Sequence, residues 1–62
     1  MAYSLDDKIT SYLENHGVTG ARLLDAVIVL PLEKGEMHRR ITGVITSEKL
    51  DSLIEEYRRV AA

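Results

Sequence analysis

The run RLLDAVIVLPLEKGEMHRRITGVIT, residues 22–46, decides the fold, because most of the strongly apolar residues of this 62-residue chain lie in it. AVIVL and RRITGVIT are apolar and β-branched, and the EKG between them is a turn signal, so the stretch predicts one β-hairpin. Side chains alternate faces along a strand, and changing the loop by one residue sends the second strand's side chains to the opposite face. An even loop with Leu32 opposite Met37 gives one coherent apolar face. That face holds Leu24, Ala26, Ile28, Leu30 and Leu32, with Met37, Ile41, Gly43 and Ile45 from the second strand and Arg39 as its one misfit. A three-residue loop bulged at Gly35 would set Leu30 and Ile28 against His38 and Arg40. The turn residues permit either form; the apolar pattern favours the even loop.

The opposite face then carries Asp25, Val27, Val29 and Pro31 with His38, Arg40, Thr42 and Val44. It is half apolar, which is too much for a simple solvated face. The expectation is a sheet covered on both sides or completed by another chain, with Val27, Val29, Pro31, Thr42 and Val44 as interface residues.

A helix is expected on each side of the hairpin. The first spans about 5–16, with Ser4 as N-cap, Asp7 as its capping-box partner and Asp6 in the first turn. Leu5, Ile9, Tyr12, Leu13 and His16 share one side of it. Gly17 is placed to end it in the left-handed conformation, with Val18 supplying the apolar contact of that cap. The second spans about 48–60, capped by Ser47 or Thr46, with Leu50, Leu53, Ile54, Tyr57 and Val60 as the apolar stripe. Arg58 and Arg59 suit the negative end of its dipole.

The expected fold class is α+β: a two-layer α-β-β-α unit in a single small domain, residues 1–62, with both helices on the coherent face of an antiparallel hairpin. A lone two-stranded sheet is marginal in water, and a domain of this size buries only about 60% of its unfolded surface. There is no cysteine, so disulfides and thiolate metal sites are excluded as staples. Homo-oligomerisation is the remaining source of stability, as a dimer or larger closed assembly that completes the sheet.

Composition narrows the function classes. With 45% apolar and 29% charged residues the chain is ordinary globular material. A net charge of −2 argues against general nucleic-acid binding, which shows a basic excess or stripe. No apolar run reaches membrane-spanning length, and MAYSLDDK has neither region of a signal peptide. Cytoplasmic location is the expectation.

The polar residues concentrate at the hairpin tip, EKGEMHRR. His38, Arg39, Arg40 and Lys34 are the candidate anion-binding residues, because guanidinium forks hold phosphate or carboxylate bidentately. Arg39 and Arg40 point to opposite faces of a strand, so a shared site for His38 and Arg40 needs a second copy. The plainer role is a solvated tip neutralised by Glu33 and Glu36. His16 and His38 lack any zinc-ligand spacing, and no metal or cofactor is expected. His16 at a helix end complements the dipole. Ser4 and Ser47 read as caps and Ser11 and Ser52 as surface residues, with no nucleophile elbow or triad. Asp25, an acid inside an apolar strand, is expected to pair with Arg22 or an interface arginine. No catalytic residue is assigned.

HGVTGARLLDAV, residues 16–27, resembles the helix-to-strand passage of PII-type nitrogen-regulatory proteins, trimers that bind nucleotides between subunits. The resemblance covers this segment alone, since the chain lacks that family's double βαβ plan; it implies a ligand site between subunits. GVTG within it is not a P-loop, which needs a lysine, and reads as cap and turn. The leading expectation is a small non-enzymatic homo-oligomer that binds, inhibits or regulates another protein. The alternative is a binder of an anionic small molecule such as a nucleotide at a subunit junction; nucleic-acid binding through the hairpin ranks last.

Overall fold

The computed structural model describes residues 5–62. Their element order is α1 (Leu5–Asn15), β1 (Arg22–Leu24), β2 (Val27–Leu32), β3 (Gly35–Arg40) and α2 (Ser47–Ala61). The class is α+β, and the strands form an antiparallel meander in the order β1-β2-β3. The expected single hairpin over residues 22–46 is therefore corrected to three strands, and the α-β-β-α order to α-β-β-β-α.

The extra strand arises because the apolar run folds back on itself at Asp25 and Ala26, both at positive φ (52° and 65°). Left-handed backbone at both central residues is what a type I′ hairpin turn requires, and its twist matches that of the flanking strands. Asp25 is thus an exposed turn residue, not an acid inside a strand, and Ala26 is exposed beside it. The register pairs Leu23 with Ile28 and Leu24 with Val27, so Leu23 joins the covered face and Leu24 the open one. The even parity of the second loop holds, but Leu32 pairs with Gly35 and Leu30 with Met37. Leu32 is not opposite Met37, because the loop is only Glu33 and Lys34. Those two residues keep ordinary backbone, and Gly35, at φ +124°, absorbs the mismatch with the strand twist.

The later strand of the expected hairpin, now β3, ends at Arg40, not near Thr46. Residues 41–46 cross to α2 as irregular chain with Gly43 at φ +73°. Ile41 and Ile45 still pack partly against the core, while Thr42 and Val44 are exposed.

Both helices lie on one face. Ile9 and Leu13 of α1, Leu50, Leu53 and Ile54 of α2, and Ile28, Leu30 and Met37 of the sheet form one core together with Val18. Val18 belongs there because of the α1 cap. Gly17, at φ +86°, donates to the Glu14 carbonyl, and Val18 donates to Leu13 O at 2.8 Å. This is a Schellman arrangement, which turns Val18 back onto the helix end it closes. The expected Ser4 cap falls outside the described residues. At the other helix, Thr46 is the N-cap and accepts from the Lys49 N–H, with Ser47 the first helical residue. Leu5 and Val60, the outer members of the two expected stripes, are more than half exposed. His16 is exposed too, its ring stacked on Tyr12.

Polar links tie the layers. Tyr12 donates to Asp51 at 2.6 Å between the helices, and Arg58 donates to the His16 carbonyl, capping α1 from α2. Tyr57 donates to the Pro31 carbonyl, which points toward the side where β1 has already ended. Proline is tolerated in this middle strand for the same reason. Its missing N–H faces past Arg22, the last residue of β1 paired with β2. Among the described residues no helix is long and apolar enough to cross a membrane.

Candidate functional site

The sheet face turned away from the helices is the surface where the sequence-derived candidates can be tested against geometry. Three cross-strand rows build it: Arg22–Val29–His38, Leu24–Val27–Arg40, and the pair Pro31–Glu36. Directly opposed residues point to the same side of a sheet, so these side chains share one face. Their neighbours Leu23, Ile28, Leu30 and Met37 point into the core.

No described element covers this face, yet Val29 is only 4% exposed. Its cross-strand partners on this face are Arg22 and His38. Arg22 on β1 reaches Glu36 on β3 at 2.5 Å, which carries the ion pair across β2 beside Val29 and Pro31. His38 Nε2 stands 3.3 Å from the second oxygen of the same carboxylate. The guanidinium, carboxylate and imidazole form a chain over the middle strand. Leu24, at the end nearest the Asp25–Ala26 turn, is 53% exposed, and Val27 and Pro31 are half-buried. The face has an apolar centre with a charged frame.

The expected anion cluster is distributed, not gathered. His38 and Arg40 share the open face, as alternation requires. Arg39 points the other way and pairs with Glu56 of α2, while a second guanidinium nitrogen donates to the His38 carbonyl at 2.7 Å. Lys34 sits in the β2–β3 turn. Arg40 has no hydrogen-bond or ion-pair partner among the described residues. Of the expected interface residues, Val27, Val29 and Pro31 lie on the open face, and Thr42 and Val44 lie beyond the sheet, with Val44 77% exposed. Sequence reading missed Arg22 and Leu24 as members, because it had no third strand to place them on.

A shallow cleft of about 350 Å³ opens where the end of β3 meets α2. Arg39, Arg40 and Lys49 line it with Thr42, Ser52 and Glu56. Two of its three cations are engaged, Arg39 by Glu56 and Lys49 by the Thr42 carbonyl at 2.8 Å. Elsewhere, the hydrogen bond to Asp51, aided by desolvation and by the carboxylate's charge, pushes the Tyr12 phenol above its ordinary value. No group of three histidine, cysteine or carboxylate side chains is placed to hold a metal ion among the described residues.

No protein-family model, curated protein or solved structure matches this chain.

Proposed function

We propose that this chain is a small non-enzymatic binding module that assembles with copies of itself and captures, inhibits or regulates another protein through the open face of its sheet. The observation that carries this reading is exposed Leu24 with half-buried Val27 and Pro31 around buried Val29, on a face no described element covers, framed by Arg22, Glu36, His38 and Arg40. An apolar centre with a polar, arginine-bearing rim is the usual anatomy of a protein-binding patch. The face is backed by a continuous core under the same strands, so it is presented with little freedom to lose on binding. A chain with no cysteine is compatible with the cytoplasm.

The test is a charge placed where the fold does not need the side chain. Leu24→Glu keeps the core intact, since Leu24 is exposed. A protein retained stoichiometrically by the immobilised wild type should be lost by this variant at unchanged circular dichroism. Equal retention by both, or none by either, removes the basis for the reading.

Arg40 favours a second reading. Its guanidinium is unpaired among the described residues and lines the cleft beside α2, suited to a phosphate or carboxylate ligand. In that case calorimetric binding of a nucleoside triphosphate should vanish in Arg40→Ala. Unchanged affinity would dismiss it.

A further inference from the structure

We infer that β3 is a self-pairing edge: a second copy of this chain adds its own β3 antiparallel to the first, centred on His38, to form a continuous sheet. This rests on the self-association in the proposed function and specifies its surface.

The ladder fixes which backbone groups are available. Ile41 donates to the Ala26 carbonyl at 2.9 Å, so Ile41, Arg39, Met37 and Gly35 turn their N–H and C=O toward β2. Glu36, His38 and Arg40 therefore turn theirs outward along the free edge. The outward His38 carbonyl accepts from the Arg39 guanidinium, and its oxygen has a second lone pair for a strand partner.

The side chains select the register. Read outward from His38, the edge is Glu36 on one side and Arg40 on the other, so its charge pattern is complementary to itself when reversed. Antiparallel pairing centred on His38 sets Glu36 against Arg40 of the second copy, twice by symmetry, and pairs every outward backbone group. Centring on Met37 would oppose Arg40 to Lys34 of the second copy, and centring on Arg39 would oppose His38 to Arg40. In the first of these registers Arg40 meets a like charge, which destabilises a strand pair, and in the second it meets no carboxylate. The His38-centred register is the one that gives Arg40 an opposite charge. Joined this way, the two copies also extend the open face into one surface.

Two variants with opposite faults test the register. Glu36→Arg alone opposes two arginines at each symmetric contact, and Arg40→Glu alone opposes two glutamates. Each should weaken self-association on the order of tenfold or more in sedimentation. An equimolar mixture should re-form a mixed dimer, because both of its contacts are again opposite in sign; native mass spectrometry separates that species from either homodimer. Variants that each assemble like wild type, or that stay apart when mixed, overturn the inference. As a check independent of charge, His38→Cys introduces the chain's sole thiol at the axis and should be captured as a dimer by a short bifunctional thiol reagent, whereas Glu36→Cys, displaced along the strand from its own copy, should not. A wild type that is oligomeric while His38→Cys fails to cross-link overturns the edge and leaves self-association standing. A wild type that is monomeric overturns both.

Discussion

Arg22 and Glu36 stand on the two outer strands of the sheet, and their ion pair closes over the middle strand. Val29, on a face without helices, is only 4% exposed beside this contact, so the two exposed charges are placed to act through what their side chains shield. The aliphatic stems of long charged residues shield apolar surface in this way while their heads stay wet.

That division of roles can be measured. Arg22→Ala should cost less than about 1 kcal/mol of stability, the range of an exposed ion pair. It should raise binding of a hydrophobic dye by uncovering Val29. Val29→Ala should cost more, about 2 kcal/mol, through lost burial. Urea titration of both variants would contradict this account if Arg22→Ala proved the more damaging.

Ala26 holds a left-handed backbone that a side chain disfavours, at φ 65°. Replacing it with glycine removes that strain at the second position of the turn, where Asp-Gly is a preferred pair. Ala26→Gly is expected to stabilise the protein by about 1 kcal/mol, net of the flexibility glycine adds to the unfolded chain. In a domain of this size the melting temperature should rise by roughly 4–8 °C. A lower melting temperature would show that the turn is held by something other than its own conformation.

The Tyr12–Asp51 contact gives the helix pair a pH dependence in the alkaline range. The folded phenol titrates above its ordinary value of 10.0, so the folded state holds this proton more tightly than the unfolded one. Its contribution is therefore fully present below that value and is lost as pH rises through the folded pKa. Ultraviolet titration should show a late tyrosine component from Tyr12, which Asp51→Ala moves to lower pH. Identical curves for wild type and variant would remove the contact from the account.

What could be read in advance was whatever is encoded locally. Gly17 followed by Val18 signals its own helix end, and Thr46 its own helix start, because caps are made by adjacent residues. The alternation of Ile28, Leu30 and Met37 against Val27, Val29 and Pro31 likewise assigned those residues to their faces. The Asp25–Ala26 turn escaped notice because alanine is a poor left-handed residue and LLDAVIVL has the composition of one uninterrupted strand. The strand end at Arg40 had a signal in Thr42-Gly43, but the isoleucines around it continued the strand pattern. The bridge from Arg22 to Glu36 had no local signal at all. It exists only once the turn at Asp25 has made a third strand, and with that strand the frame of the open face becomes complete.

Self-association is the claim on which the binding reading and the β3 register both depend. Native mass spectrometry of the freshly purified wild type, over a dilution series, measures it directly. The account predicts a dimer that gives way to monomer only on dilution. A monomer at every concentration would contradict it.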